Sequence, residues 1–265
     1  PLITMRYILF LFTFSLFSLL PAQNSSIYYH SDYPPFLGIK GKADSIVIKR
    51  YQITPKSFGD TLLVKSLLST TSYYFTPEGF ITRIQSLNRN QEPEKTILYE
   101  IKNNKADKIL TLNHQEPPYR TTNSLLLRNE NDEVWLSSYS MKNKGILQDS
   151  LFIHYTKDSK RERQISALSG SETESVYTFN DSGFLISKKI ITDQKNITLS
   201  QWEYDSDNLL ISELSGSHLS QLGKMAKYTF FKNTTDSYGN WTERKCYSKK
   251  GDLLYLEEQH IYYQK

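Results

Sequence analysis

The sequence predicts an all-β fold, an antiparallel meander of about seven or eight β-hairpin repeats that builds a curved, partly closed sheet. The first observation is a period. A unit led by an aromatic or branched residue starts at Tyr73 and recurs at Tyr99, Leu125, Ile153, Tyr177, Trp202 and Tyr228, in steps of 26, 26, 28, 24, 25 and 26 residues. A fixed period of this size marks a repeat architecture. The second observation is alternation. Within a unit aromatic or branched residues alternate with polar ones, and Tyr177 and Phe179, like Tyr73 and Phe75, share one face, the period-two pattern of a half-buried strand. The third is the turn that follows. Thr76-Pro77-Glu78-Gly79 and Asn180-Asp181-Ser182-Gly183 place glycine where a left-handed backbone is wanted, and proline or aspartate where a type I turn accepts them.

Each element follows in order. Residues 1–22 predict a secretory signal peptide, with a misplaced start before Met5: Met5-Arg6 is a short positive head, Tyr7 to Leu20 an apolar run of 14 residues, and Pro21-Ala22 a small-residue cleavage site. The run is shorter than the roughly 20 residues of a membrane span, so cleavage after Ala22 leaves no stable membrane span. Residues 23–45 form a lead-in, and residues 46–265 one hairpin-repeat domain. A lone hairpin is marginal in water, so the units form one cooperative body. Paired apolar runs such as Leu125-Leu126-Leu127 favour curling or coverage by loops, because an open edge invites aggregation. The strands at Ile46 and Ile261 are the predicted edges and offer places for strand addition by another molecule. The abundant tyrosines, 19 in all, suit a thin core whose rings pack while their hydroxyls reach water. Ser217 to Ala226 places Leu219, Leu222 and Met225 at helical spacing, a short helix or an extended loop.

Charge excludes some classes. Removing the signal peptide removes Arg6 alone, so the net charge falls from +4 to +3 over 265 − 22 = 243 residues. No basic stripe stands out, which argues against nucleic acid as a partner. Lys160-Arg161-Glu162-Arg163 and Lys188-Lys189 are assigned to solvated strand faces or hairpin tips. Cys246 is the single cysteine, so no internal disulfide forms, and its place in a strand-like stretch makes it a small buried hydrophobe.

At this point the residues resemble a known family. Tyr177 to Leu185 and Tyr238-Gly239-Asn240-Trp241-Thr242-Glu243-Arg244 are similar to the tyrosine-aspartate (YD) repeat of the rearrangement-hotspot (Rhs) proteins and of short exported proteins of Gram-negative bacteria. The lead-in Leu37 to Ile46 resembles that of the exported members. The resemblance implies an all-β sheet that wraps into a shell in long members. Here the copies at Leu125 and Ile153 lack the glycine.

Chemistry-bearing residues are sparse. His30, His114, His154, His218 and His260 are isolated, without the spacing of zinc ligands, and no metal or cofactor is expected. Glu257 and Glu258 are neighbours in a strand and point to opposite faces. Asp205 and Asp207 fall in a turn and act as turn formers; Glu172 and Glu174 complete the candidate acids. Trp202 and Trp241 occupy repeat slots, Trp241 behind the turn like Phe80 and Phe184. Trp135 fits the repeat less well, and Trp135 and His218 are the candidate ligand platform. Asp44-Ser45-Ile46, Asp60-Thr61-Leu62 and Asp149-Ser150-Leu151 resemble O-glycosylation acceptors, which belong on solvent-facing loops. The expectation is a periplasmic or secreted, non-catalytic binding or scaffold protein of the cell envelope with a protein or glycan partner. Its alternatives are a glycan hydrolase drawing its acids from separate repeats, and a toxin-associated or immunity-like partner.

Overall fold

The structure, a computed structural model, describes residues 39, 42–55, 63–103, 105–114, 119–141, 145–192, 196–217 and 227–264. The signal peptide, most of the lead-in, His30, His218, Asp60 to Leu62 and the segment after Ser217 lie outside them.

Sixteen strands follow in chain order: β1 (Ala43–Pro55), β2 (Leu63–Phe75), β3 (Ile81–Leu87), β4 (Pro93–Lys102), β5 (Lys105–Asn113), β6 (Tyr119–Arg128), β7 (Asp132–Met141) and β8 (Gly145–Tyr155). The second half holds β9 (Ser159–Ile165), β10 (Glu172–Phe179), β11 (Leu185–Thr192), β12 (Asn196–Tyr204), β13 (Leu210–Ser217), β14 (Lys227–Thr235), β15 (Trp241–Ser248) and β16 (Leu253–Tyr263). Each pairs antiparallel with its neighbours in sequence, and β16 returns to pair with β1. The result is a closed barrel of 16 strands, which corrects the expectation of a curved, partly open sheet of hairpins. The strands at Ile46 and Ile261, expected to be free edges, are partners in register. Closure satisfies the backbone groups that an edge would leave unpaired.

The turns explain the repeat. Asn180 Oδ1 accepts from the backbone N–H of Ser182 (3.1 Å) and Phe184 (2.9 Å). Asp205 and Asp236 do the same for the second and fourth residues after them, at 2.9 Å each. The fourth turn position takes a positive φ, +93° at Gly79, +81° at Gly183 and +79° at Gly239, and Asn208 fills the equivalent place at +63°. This is a side-chain-capped turn closed by a left-handed residue, a hairpin geometry that feeds a bulge. Register shifts follow at Phe75, Phe179, Tyr204 and Thr235, where the partner strand skips Thr82, Ile186, Ile211 and Thr242. Such bulges bend strands and let a sheet curl into a barrel.

The first residue of β1, Ala43, and the last of β16, Tyr263, pair with each other at one rim, which also carries the turns at Thr76, Asn180, Asp205 and Asp236. Gln264 ties that rim together through Lys42 O (3.0 Å) and Thr76 O (3.2 Å). Ile46, Ile84, Ile97, Ile109, Trp135, Ile153, Phe231 and Cys246 are buried on the inward face. Cys246 is buried as its strand pattern predicts.

Replacing Gly183 by alanine is expected to lower stability by about 1–2 kcal/mol, the cost of holding a Cβ in a left-handed backbone. No atom lies within 4 Å of the added Cβ, so crowding adds nothing. Gly183→Asn should lose less, as Asn208 shows in the equivalent turn. Urea unfolding midpoints at unchanged m-value measure both.

Candidate functional site

Antiparallel register assigns every strand residue to the lumen or the outer wall, because residues directly opposite one another share a face. Ile46, Ile48 and Arg50 of β1 point inward with their partners Ile261, Gln259 and Glu257 of β16. On β9 and β10 the inward residues are Lys160, Glu162 and Gln164 opposite Tyr177, Ser175 and Thr173. Arg161 and Arg163 lie on the outer wall.

Burial along the inward face changes with height. Near the rim that holds Ala43 and Tyr263, inward residues such as Ile46, Tyr73, Tyr177 and Trp202 are buried. Toward the opposite rim on the same strands, Arg50, Gln164 and Thr198 are exposed, and Ser69, Thr173 and Ser200 are half-buried. A 16-stranded barrel is wide enough for an aqueous channel. Here inward tyrosine, tryptophan and isoleucine fill one half of it, and the other half is a more open cup in which the exposed Arg50, Gln164 and Thr198 stand beside the buried Thr111, Asp149 and Thr229.

Among the described residues two charged clusters lie on the inward face, apart from the buried Asp149 carboxylate, which accepts from Tyr139, Gln164 and the Ala167 N–H. In the first, the Glu133 carboxylate accepts from Arg128 Nε (2.6 Å), Trp135 Nε1 (2.9 Å) and the Tyr155 hydroxyl (3.0 Å). Next to it Lys160, 1% exposed, pairs with Glu162, which also accepts from the Tyr177 hydroxyl at 2.8 Å. The Lys160 ammonium lies 4.7 Å from the centroid of the Tyr177 ring. Burial pulls the Lys160 ammonium below its ordinary value, opposed by Glu162 and Glu133. In the second, Arg50 donates from Nε (2.9 Å) and Nη2 (2.6 Å) to one oxygen of Glu257. Arg244 reaches the other oxygen only at 3.8 Å, gives Nε to Asn233 Oδ1 (3.0 Å) and stacks 4.1 Å over Trp241.

These groups correct the assignment of Lys160-Arg161-Glu162-Arg163 and Lys188-Lys189 to solvated faces. Lys160 and Glu162 are interior, and Lys188 lies 5.0 Å over the Tyr177 ring. The tyrosine hydroxyls of Tyr155 and Tyr177 reach interior carboxylates instead of water, and that of Tyr204 reaches the Leu185 carbonyl at 2.9 Å.

The remaining candidates scatter. Trp135 sits inside the barrel at 5% exposed and offers no ring face to the outer surface, while His218 lies outside the described residues. Glu257 and Glu258 do point to opposite sides, Glu257 to Arg50 and Glu258 outward to Lys65. Glu172 and Glu174 are outer-wall partners of Arg163 and Arg161. Asp205 caps its turn and Asp207 is an exposed turn residue. Trp241 stands one place later than Phe80, in the slot of Ile81, Leu185 and Leu210, all buried. His154 is exposed and pairs with Asp132 at 2.7 Å. Ser45 and Ser150 lie in paired strands, not loops. Among the described residues no group of three or more histidine, cysteine or acidic side chains could hold a metal ion.

These features define a closed, antiparallel, 16-stranded β-barrel with an internally charged lumen. The fold is similar to the crystal structure of a porin-like protein from Bacteroides uniformis, with a TM-score of 0.50 and 13% identity, covering 83% of this chain and 97% of that one. A porin-like protein from Bacteroides vulgatus matches at a TM-score of 0.44 and 10% identity, covering 84% and 99%. No family model and no curated protein matches the chain. At 13% identity the likeness is one of barrel fold.

Removing Lys160 alone, by Lys160→Met, is expected to destabilise the fold by about 3–5 kcal/mol, because Glu162 is left charged and buried. Adding Glu162→Leu should recover part of that loss, and a double-mutant cycle in urea measures the coupling.

A second expectation concerns alkali. Burial above all holds the Tyr73, Tyr155, Tyr204 and Tyr255 hydroxyls protonated well above the ordinary tyrosine value of 10.0. The unfolded chain loses these protons first. Their contribution to stability is therefore complete below about pH 10 and falls as pH rises through the folded values. Lys160 acts in the opposite sense, since its lowered folded value makes stability rise toward 10.5. Four groups outweigh one, so the urea midpoint should drop above about pH 10, with tyrosinate absorbance from these residues appearing only on unfolding.

Proposed function

We propose that the protein is an exported, non-catalytic receptacle of the cell envelope, a barrel standing in water with one filled end, which holds a polar ligand in its open half. The observation that supports this is the polarity of the outer wall. Lys49, Glu100, Lys108, Arg161, Arg163, Lys189, Lys232 and Lys245 all lie on the outer wall by register, on strands spread around the circumference. Several are ion-paired there, Arg163 with Glu172 at 2.6 Å and Lys245 with Glu243 at 3.2 Å.

A barrel that crosses a bilayer presents an apolar outer band about 25 Å tall, and each Arg or Lys at its midplane costs about 2–4 kcal/mol. Exposed apolar side chains stand on this wall too, among them Leu98, Phe152, Phe230 and Tyr262, but the charged residues interrupt them. The filled half of the lumen argues in the same direction, since it obstructs passage from rim to rim. The signal-peptide pattern supports export to the periplasm or beyond. A relation to the YD-repeat proteins is part of this proposal, supported by the capped Asn180-Asp181-Ser182-Gly183 turn.

The test is physical partition. Purified residues 23–265 should stay in the aqueous phase on detergent phase separation and give no conductance steps in planar bilayers. Recovery in the detergent phase with stepwise conductance would show a pore and overturn the receptacle.

A further inference from the structure

We propose that the inward face between Arg50, Arg244 and Gln259 is an oxyanion site, one that takes the carboxylate or phosphate group of the ligand held in the cup. This rests on the receptacle reading and names its ligand class.

The first argument is charge. Arg50 and Arg244 share a single carboxylate, Glu257, and Arg50 already commits Nε and Nη2 to one of its oxygens. Arg244 is 4% exposed, yet its nearest carboxylate oxygen is 3.8 Å from Nη1, beyond hydrogen-bonding distance. Among the described residues its hydrogen bond runs from Nε to Asn233. The group therefore sets two guanidinium charges against one carboxylate. Since Arg50 is half in solvent and takes the hydrogen bonds of Glu257, the buried Arg244 is left with that carboxylate only at ion-pair distance, a costly arrangement unless an anion completes it.

The second argument is independent of charge. Gln259, 2% exposed, has no hydrogen-bond partner for either its amide nitrogen or its amide oxygen. Trp241 Nε1, in the ring on which Arg244 stacks, is likewise buried and unpartnered. Gln259 follows Glu257 by two residues on the same inward face, and Arg244 stands directly opposite Glu257. That diagonal puts the two side chains about 7–8 Å apart at their stems. An oxygen-bearing group between them would accept from the Arg244 Nη groups and the Gln259 amide together. Planar guanidinium donors suit carboxylate and phosphate.

The third argument is access. Arg50 is 48% exposed at its side chain and lies on the open half of the lumen. It stacks 4.6 Å over Tyr255, which fixes its plane. A ligand entering the cup meets Arg50 first and Arg244 beyond it. Buried water alone would satisfy Gln259 and Trp241, but it would leave the charge excess in place.

The experiment is calorimetric titration of residues 23–265 with inorganic phosphate, sodium glucuronate and uncharged glucose. The expected result is saturable one-to-one binding of both anions, with glucose at least about tenfold weaker. Arg244→Gln should weaken phosphate binding by about tenfold to a hundredfold, the range for a hydrogen bond to a charged group. Gln259→Leu guards against an Arg244 variant that fails to fold. It removes an unpartnered buried amide, so its thermal midpoint should rise while phosphate affinity falls. Anion affinity unchanged in folded Gln259→Leu overturns the site. Equal binding of glucose and glucuronate, indifferent to both substitutions, also overturns it and leaves the receptacle standing. Absence of binding by all three probes in a barrel that stays in the aqueous phase overturns the oxyanion site alone.

Discussion

The seam between β1 and β16 is the constraint on which the rest of the molecule depends. Ile46 meets Ile261 there, Ile48 meets Gln259 and Arg50 meets Glu257. Without that pairing the sixteen strands would be a sheet with two long edges and two solvent-facing sides. With it, the alternation of every strand acquires a meaning, because one face becomes a lumen and the other a wall. The seam is held by more than backbone. Arg50 spans it to grip Glu257, and Gln264 crosses the rim to Lys42 and Thr76. The same carboxylate that braces the closure also faces Arg244, so the closing contact and the proposed ligand contact share Glu257.

The repeat was legible in the sequence and the closure was not, for a physical reason. Period and turn chemistry are local. Asn180 capping its own turn, and Gly183 taking the left-handed backbone, are properties of five consecutive residues. Whether a meander closes depends instead on the sum of its register shifts. Those shifts sit at residues such as Thr82, Ile186 and Thr242, whose type gives no sign that a partner strand skips them. Trp241 falls one place from its expected slot because Asn240 stands where Phe80 and Phe184 follow their turns.

The interior charges were hidden for a related reason. In Lys160-Arg161-Glu162-Arg163 all four residues look solvated, and only register divides them into a buried pair and an exposed pair. Strict alternation did yield the separation of Glu257 from Glu258, because there the two faces differ however the sheet curls. It did not yield the fate of Trp135, whose indole nitrogen finds Glu133 two residues away on the same inward face. Tyrosine was read for its amphipathic character, which holds, but the polar end meets carboxylates supplied by neighbouring strands. Those pairs join residues 15 and 22 apart, Tyr177 with Glu162 and Tyr155 with Glu133, at separations that only the hairpin register brings together.

The water-facing barrel proposed above has a stability problem that a membrane barrel does not. In a bilayer the outer face is matched to lipid, and the lumen is free to fill with water. When the outer wall carries Arg161, Arg163 and Lys245, lipid supplies no such match, and burial on the inward side must supply the driving force. Aliphatic side chains are too short to fill a 16-stranded lumen, which is why tryptophan and tyrosine recur there, each burying about 150–250 Å². Their polar ends bring carboxylates inward, and those carboxylates require Lys160, Arg128 and Arg50 as partners. Filling stops partway because the body already closed off at the Ala43 rim supplies the fold with its core. The inward residues beyond it, Ser69, Thr173, Thr198 and Arg50, are relieved of that duty, and polar side chains at such positions are what a ligand entering from the open rim would meet.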